Sequence, residues 1–484
     1  MRIIFCAVPY VETPAPIMAP AVLKAVAEKE GHTAFGIDLN IIFMNNIQDY
    51  DHREQVIDYL LNQVPSGIEV YSILTEMVDH FTDLILEYNP DVIGLSLLTY
   101  QSQIFTHWLA ATIKQRRPDI KIMIGGSGIK NFIADSNNSY CETLKGLGLI
   151  DHYIMGDGEA ALVNYLRGNN GYDGIDTPTW IQATNADLEE YPYPNYDDYD
   201  FEFYPQKELG VVDSRGCVRT CEFCDIIEHW TKFTYRPAES VFNEMVHQAE
   251  KYGIRHFHMK DSLANGNMKV FTKLVDLLAD YNLSNPPEKQ ITWHAYFIIR
   301  NAQQHPESLF ARMQDAGALL ELGVESAIRR VRWEMGKKFE NEDIDWHLDM
   351  GQKYGIPLML LCIVAYPTET LEDWEFTKQW FKDRLKYAQN SVILTQLAWP
   401  SILPNTKLAR KSDEYGIKQG RYSAVWFNQN LKITNQMKIE YMHELYQICE
   451  PYSGIYRNDV GYSAQDSALR LANQYSDEVE QDEN

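Results

Sequence analysis

The sequence reads as an α/β protein: a doubly wound parallel-sheet domain, a second run of six strand–helix units, and a mostly helical C-terminal region. Three observations predict this. Apolar, strand-like runs alternate with helical segments over the first 165 or so residues and again from Glu208. Runs such as Asp91-Val92-Ile93-Gly94-Leu95-Ser96-Leu97 are almost continuously apolar, as in parallel strands buried on both faces. Between the two alternations, Asp176 to Tyr204 is rich in Pro, Asp, Asn and Tyr and lacks either period, which reads as a linker.

Taken in order, Arg2 to Val8 is a short strand, and Pro20 to Gly31 is a helix with Ala21, Val22, Ala25 and Val26 on one face. Thr33 to Ile37 is the second strand, Met77 to Tyr88 a helix, and Asp91 to Leu97 the third strand. Ile104 to Arg116 is a helix that stops before Pro118, because the residue ahead of a proline avoids helical backbone. Ile120 to Ile124 is a strand ending in Gly125-Gly126-Ser127-Gly128, and His152 to Met155 is the last of this set, after which Gly156-Asp157-Gly158-Glu159 opens a helix. In the second alternation, strands are expected near 208–213, 255–260, 290–298, 318–323, 357–364 and 391–397. Helices lie between them at Ala238 to Lys251, Met268 to Tyr281, Pro306 to Asp315, Asn341 to Tyr354 and Leu371 to Arg384. From about Leu408 the pattern becomes irregular and helical, and Asp477 to Glu483 is an acidic tail.

Composition narrows the function classes. A net charge of −25 over 484 residues repels polyphosphate and argues against indiscriminate nucleic-acid or anionic-membrane binding. The longest apolar run, Ile356 to Tyr366, is too short to span a bilayer. Ile3 to Pro9 is too short for a secretion signal and is followed by Glu12 and prolines. Seven cysteines in no paired framework suggest a reducing, cytoplasmic location.

Three of those cysteines, Cys217, Cys221 and Cys224, lie between Ser214 and Ile226. The others, Cys6, Cys141, Cys362 and Cys449, are remote in sequence. Three thiolates on one tight loop can ligate three irons of a [4Fe–4S] cluster and leave the fourth open for a substrate. The alternative is a zinc site that adds His229 to the three sulfurs, although zinc ligands usually come as two separated pairs.

The spacing, with Phe223 before the last cysteine, resembles the signature of the radical S-adenosylmethionine (SAM) enzymes. Val211-Val212-Asp213-Ser214-Arg215-Gly216-Cys217 resembles the strand and loop of the subgroup that carries an N-terminal cobalamin-binding domain. The resemblance implies a Rossmann-like cobalamin-binding domain over 1–175, a linker over 176–205, a partial (βα)6 radical SAM barrel over 206–407 and a C-terminal helical region over 408–484. It implies that Cys217, Cys221 and Cys224 hold the cluster, that its open iron takes the amino and carboxylate groups of SAM, and that Phe223 packs near the adenine. One electron would then release a 5′-deoxyadenosyl radical. Asp261, in His258-Met259-Lys260-Asp261-Ser262, would accept from the SAM amino group, or else cap the next helix. Glu325, in Gly323-Val324-Glu325-Ser326, would hydrogen-bond the ribose or the amino group, and Arg300 could pair with the carboxylate. Met335-Gly336-Lys337-Lys338 also matches the family pattern. Ala365-Tyr366-Pro367-Thr368-Glu369-Thr370 and Pro404-Asn405-Thr406 resemble two further segments, with Ala365, Thr368 and Asn405 where the family has glycine.

In the N-terminal domain, Ser96, Thr99, Gly125-Gly126-Ser127 and Gly156-Asp157-Gly158-Glu159 match positions that line a corrinoid in related proteins. The Asp-x-His-x-x-Gly motif for a lower axial histidine is absent, since Asp51-His52, Asp79-His80 and Asp151-His152 have the wrong spacing. A vestigial domain without cobalamin is the alternative. His107, His294 and His347 read as packing or surface residues, Cys6 and Cys362 as buried thiols, and Val425 to Cys449 as core or a cover over the barrel mouth.

The resemblance thus implies an enzyme using a [4Fe–4S] cluster, SAM and cobalamin to methylate an unactivated carbon of a small-molecule or peptide substrate. Its electron donor would be of flavodoxin or ferredoxin type. A cyclase or rearrangement enzyme without methyl transfer, and a non-catalytic corrinoid- or metal-binding protein, are the competing readings. A methylthiotransferase is disfavoured because no second cysteine triad is present.

Overall fold

Five buried apolar residues near the start of the chain, Ile3 to Ala7, form an inner strand of the first sheet. Alternation along Arg2–Ala7 (β1) sends Ile4 and Cys6 into one core and Ile3 and Phe5 into another, so both faces are covered. This computed structural model describes residues 1–449 apart from 63–65, 131–139, 170–173, 178–179, 385–392 and 421–424. The chain divides into two units, Met1–Lys207 and Glu208–Asn484.

In the first unit, β1 is followed by α1 (Ala19–Lys29), β2 (Thr33–Asp38), α2 (Leu39–Asn46), α3 (Arg53–Asn62), α4 (Ile68–Glu87), β3 (Val92–Ser96) and α5 (Ser102–Arg116). Then come β4 (Lys121–Gly125), α6 (Tyr140–Gly146), β5 (His152–Ile154), α7 (Gly158–Leu166) and α8 (Asn185–Glu190). The sheet is parallel in the order β2-β1-β3-β4-β5. The order reverses between β1 and β3, so the loops leaving their carboxyl ends diverge and open a crevice. The helices α2, α3, α6 and α8 lacked an expectation from sequence, α8 falling in the segment read as a linker without period, and α4 begins nine residues earlier than Met77. Leu39, Ile41 and Phe43 of α2 are all buried, so that helix lacks the polar face that would reveal its period.

The segment from Thr184 to Tyr204 packs on this first unit. Its abundant polar side chains bind it there: Asp198 Oδ2 lies 2.6 Å from Lys24 Nζ, Tyr204 OH donates to Asp38 Oδ2 at 3.0 Å, and Tyr199 OH donates to the Ile17 carbonyl at 2.9 Å. Tyr196 is 1% exposed.

The second unit begins with β6 (Leu209–Val211) and the two-residue β7 (Ser214–Arg215), then α9 (Ile226–His229), β8 (Thr234–Tyr235), α10 (Ala238–Tyr252), β9 (His256–Met259) and α11 (Met268–Ser284). It continues through β10 (Thr292–Phe297), α12 (Glu307–Asp315), β11 (Ala318–Glu325), α13 (Arg329–Glu334), α14 (Asn341–Tyr354), β12 (Leu358–Ile363), α15 (Leu371–Arg384) and β13 (Ile393–Ala398). Six parallel strands run in the order β13-β12-β11-β10-β9-β6. β13 and β6 are the edges, so this is an open barrel. All six strands fall where the alternation of the sequence puts them.

One face of this sheet carries Phe257, Met259, Trp293, Ala295, Phe297, Leu320 and Leu322, all buried. Phe271 of α11 meets the Trp293 and Phe297 rings at 6.1 and 5.5 Å, so this face is the outer one, under the helices. The alternate residues His256, His258, His294, Tyr296, Glu321 and Glu325 therefore occupy the inner face. The C-terminal region adds α16 (Lys407–Arg410), α17 (Ser412–Tyr415), a hairpin of β14 (Ile417–Gln419) and β15 (Trp426–Asn428), and α18 (Asn435–Cys449). α18 is docked by Tyr441 stacking on Trp374 of α15 at 4.3 Å and by Lys438, which is fully buried under the Trp426 ring. The acidic tail lies outside the described residues. Among the described residues no helix is long and apolar enough to cross a membrane.

Candidate functional site

The cysteine loop leaves the carboxyl end of the first barrel strand, the end at which barrel enzymes carry their chemistry. Its base is closed by the antiparallel pairing of β7 with β8, Ser214 against Tyr235 and Arg215 against Thr234. Gly216 takes φ +82°, and a Cβ there would lie 2.7 Å from the Lys232 carbonyl. Only glycine lets the loop fold back so closely. Glu222 then ties the loop down. Its N–H donates to the Met335 carbonyl at 3.0 Å, its carbonyl accepts from Leu408 N at 2.8 Å, and its carboxylate receives Lys411 Nζ at 2.6 Å.

Cys221 is buried, and Cys217 and Cys224 are half-buried. None forms a disulfide. Burial pushes the Cys224 thiol up to about 11, and it raises Cys217 and Cys221 too, against the pull of the Lys337 ammonium. A metal centre reverses this preference, because a coordinated thiol is deprotonated. Arg219 N–H already donates to Cys217 Sγ at 3.4 Å. These three sulfurs, on one anchored loop and unused elsewhere, fit the ligation of an iron–sulfur cluster. They fit a single zinc less well. The cysteines are not among the donor groups gathered within 4.8 Å of one another in the described residues, whereas sulfurs on one zinc sit about 3.8 Å apart. His229, the fourth zinc ligand of that alternative, has its Nε2 on Asp225 Oδ2 at 3.0 Å.

Glu325 ends β11 at φ +65°, next to a register shift between β11 and β12. Such a bulge re-aims a side chain, and a non-glycine residue there stores about 1–3 kcal/mol of strain. Its Oε1 lies 2.6 Å from Lys337 Nζ. Lys337 is held close by Gly336, whose φ of +85° puts it against Cys221. Burial pulls the Lys337 ammonium down, and Glu325 with Cys221 and Cys217 more than offsets that. Phe223 packs on the apolar cluster of Val331, Met335, Tyr366, Ile402 and Leu408.

Arg300 donates to the Asn265 carbonyl at 3.2 Å, and its Nε is buried without a hydrogen-bond partner. Burial and the nearby Arg219 charge lower its pKa, so an anion placed here would be stabilised. Asp261 is positioned otherwise. Its two oxygens accept from Asp213 N at 3.1 Å and Ser214 N at 2.8 Å, which pins the start of the cysteine loop. Burial and the facing Asp213 carboxylate push Asp261 well above the usual carboxylate range.

The two glycine replacements at Ala365 and Asn405 keep left-handed backbone, at φ +54° and +68°. Asparagine tolerates this and alanine pays about 1–2 kcal/mol for it. Ala365 sits beside a buried link between motifs, since Ser326 Oγ donates to Glu369 Oε1 at 2.8 Å and Tyr366 N donates to Glu369 Oε2 at 3.2 Å.

In the first unit, Ser96 and Gly125 end β3 and β4. Thr99 Oγ1 donates to the Tyr10 carbonyl at 3.2 Å, and Ser127 Oγ to the Leu98 carbonyl at 2.5 Å. Gly126, at φ +97°, would place a Cβ 2.3 Å from the Leu97 carbonyl, and Gly156, at φ +99°, 2.2 Å from the Ile181 carbonyl. These glycines are needed for the chain's own close packing. Gly125 is different, as its Cβ would make only ordinary contacts at 3.6 Å and beyond. Glu159 is buried in the first turn of α7, and Asp157 accepts from Ala183 N at 2.6 Å. The loops after β3, β4 and β5 thus form a close-packed carboxyl edge of small residues beside the switch point, which fits a large flat ligand such as a corrinoid. His152 lies at the opposite edge, held by Asp176 at 2.8 Å, so it offers no axial ligand there.

Sequence reasoning left several residues without a role. Lys337 was only part of a pattern, and Glu208, Lys260, Tyr296 and Glu321 were not singled out. His294, expected to be a packing or surface residue, instead bridges Glu208 at 2.6 Å and Glu321 at 2.5 Å on the inner face. A signal was present: His256-Phe257-His258-Met259-Lys260 and Thr292-Trp293-His294-Ala295-Tyr296 alternate, where fully buried parallel strands should not.

Comparison with known proteins agrees with this architecture. Residues 211–381 match the model of the radical SAM superfamily, and residues 21–166 match that of the B12 binding domain. The chain is 23% identical over 370 residues to cytidylyl-2-hydroxyethylphosphonate methyltransferase of Streptomyces wedmorensis, covering 67% of this chain and 64% of that protein, just under two thirds of its length. It is 22% identical over 396 residues to an uncharacterized methyltransferase of Pyrococcus horikoshii, covering 78% of this chain and 79% of the relative. The fold is shared with the radical SAM methyltransferase TsrM of Kitasatospora setae, solved with cobalamin and a [4Fe-4S] cluster bound, at a TM-score of 0.63 and 15% identity over 98% of this chain and 99% of that one. The chain thus carries a B12-binding domain, matched over residues 21–166, ahead of a radical SAM domain, matched over residues 211–381.

Proposed function

We propose that this protein is a cobalamin-dependent radical SAM methyltransferase that splits SAM to a 5′-deoxyadenosyl radical and methylates an unactivated carbon of a small-molecule or peptide substrate. The observation that carries the reading is the anchored triad Cys217, Cys221 and Cys224 at the mouth of the barrel, with Lys337, Glu325 and Arg300 in the same unit. When bound, the cluster supplies the electron that breaks the sulfonium bond and the corrinoid supplies a methyl carrier. Cys217, Cys221 and Cys224 hold the cluster, while Glu222 and Asp261 keep their loop in place. Arg300 takes the SAM carboxylate on its unpartnered Nε face. Glu325, already oriented by Lys337, accepts from the ribose or amino group. Phe223 backs the adenine from the apolar cluster. Ser96, Thr99, Gly125, Gly126, Ser127, Gly156 and Glu159 line the corrinoid edge of the first sheet. The electron comes from a flavodoxin- or ferredoxin-type donor, in a cytoplasmic setting that suits an oxygen-sensitive centre.

Anaerobic reconstitution tests this. The wild type should contain about four iron and four sulfide per chain, bind cobalamin, and turn SAM into both 5′-deoxyadenosine and S-adenosylhomocysteine. The Cys217→Ala, Cys221→Ala, Cys224→Ala variant should lose iron, sulfide and all SAM cleavage. Persisting cleavage in that variant refutes the cluster assignment. Deoxyadenosine without S-adenosylhomocysteine refutes methyl transfer and favours a cyclase or rearrangement enzyme.

A further inference from the structure

The inner face of the barrel sheet holds a second constellation with no part in the cysteine loop. Glu208 precedes β6, His258 lies in β9 and His294 in β10, on three neighbouring strands. The parallel register sets Gly210 against His258 and His258 against His294, so alternation points all three side chains the same way. One ligand atom from each lies within 4.8 Å of the others. His294 Nε2 is 2.6 Å from Glu208 Oε2, and His258 Nδ1 is 3.5 Å from Glu208 Oε1. Donors that share one first-row metal stand about 3 Å apart, and both of these contacts to Glu208 lie near that spacing.

Two further observations point to a ligand. His294 Nδ1 contacts Glu321 Oε1 at 2.5 Å. A carboxylate on the far nitrogen is the usual device that orients a metal-bound imidazole and leaves its other nitrogen to ligate. His258 stacks on His294 with ring centres 3.9 Å apart. Its Nε2 is buried without a hydrogen-bond partner and lies 3.9 Å from Glu321 Oε1. Two carboxylates, Glu208 and Glu321, both less than a tenth exposed, hold the His294 ring between them. The further cation beside Glu208 is Lys260, whose Nζ is 3.5 Å from Glu208 Oε1 and within hydrogen-bonding distance of His258 Nδ1. That side chain is 32% exposed, so it can swing away.

We propose that Glu208, His258 and His294 form a binding site for one divalent first-row transition metal, with Glu321 orienting His294 and Lys260 occupying the cation position when the metal is absent. Two imidazoles and one carboxylate suit zinc, iron(II), cobalt(II) or manganese(II). Three protein ligands leave open positions toward the barrel interior, where Tyr296 is 39% exposed. Those positions fit an oxygen-rich group, a carboxylate or phosphonate, on a small molecule. The site is separate from the cysteine triad and does not depend on cluster assembly.

The test uses the full chain carrying Cys217→Ala, Cys221→Ala and Cys224→Ala, titrated anaerobically with cobalt(II) and followed by visible absorption. One saturable cobalt with d–d bands is expected. Adding His258→Ala or His294→Ala should abolish the bands. Glu321→Gln should weaken binding by about 10–100-fold. Lys260→Met should tighten it, which a merely structural polar cluster would not predict. Thermal melts in chelator establish that each variant is folded. As a second measurement, wild-type protein purified anaerobically should carry about one metal ion beyond the iron that its sulfide accounts for and the cobalt of any bound corrinoid, and His258→Ala should lose it. Absence of saturable cobalt in the chain lacking the cysteine triad, or equal affinity in the histidine variants, overturns the proposal, whatever the outcome for SAM cleavage.

Discussion

Replacing Lys337 by methionine removes the ammonium 2.6 Å from Glu325 Oε1, where the two side chains are only 13% and 11% exposed. The carboxylate is then left desolvated and unpaired. Breaking a fully buried pair costs about 3–5 kcal/mol, and the small remaining exposure puts this one near the lower end, about 3 kcal/mol. In a unit of this size each kcal/mol is worth about 2–4 °C, so the melting temperature of the second unit should fall by about 6–12 °C. The double variant Lys337→Met, Glu325→Gln leaves no orphaned charge. It should therefore regain a large part of the loss, giving a coupling of about 1–3 kcal/mol. Thermal and urea unfolding of the four proteins of this cycle, without cluster and at neutral pH, measures it. A single variant that melts with the wild type, or two single costs that simply add, would refute the argument that the pair acts as one desolvated unit.

Other outcomes follow from equally specific contacts. Arg236→Met breaks the ion pair to Glu244 at 2.5 Å, with the side chains 7% and 4% exposed, and should cost about 3–5 kcal/mol in urea unfolding. Glu369 is buried and its carboxyl is pushed up to about 7. Because the folded chain keeps that proton more tightly than the unfolded one, stability from this group is complete below about pH 4.5 and declines as pH rises through about 7, by up to about 3 kcal/mol. In Glu369→Gln, the urea midpoint should lose this part of its slope between those pH values. Gly126→Ala would bring a Cβ within 2.3 Å of the Leu97 carbonyl at φ +97°. It should cost more than the roughly 1 kcal/mol of an unstrained glycine change, seen as a lower melting temperature and weaker cobalamin retention.

Most strands were legible from the sequence because they are short apolar runs flanked by turn residues, as parallel strands are. β3, at Val92–Ser96, and β12, at Leu358–Ile363, are examples. The cysteine loop was legible because its ligands sit within eight residues, Cys217 to Cys224. Helices such as α2 were hidden by an unbroken apolar run from Ile41 to Met44, and the hairpin of β14 and β15 by its three-residue strands. Ala365 and Asn405 obscured the need for left-handed backbone that glycine normally announces, yet both adopt it.

Side-chain partnerships were of another kind. That Glu325 meets Lys337, that Ser326 meets Glu369, and that His294 stands between Glu208 and Glu321 has no trace in residue spacing. His294 and Glu208 are 86 residues apart. Linear order sufficed for the domain sequence, the strand positions and the thiolate triad, since all of these depend on neighbours along the chain. Charge pairing and the polar inner wall depend on strand register and on the way β6, β9, β10 and β11 lie side by side. Those features are properties of the assembled sheet, and they come into being only when hydrogen bonding between distant segments aligns their side chains.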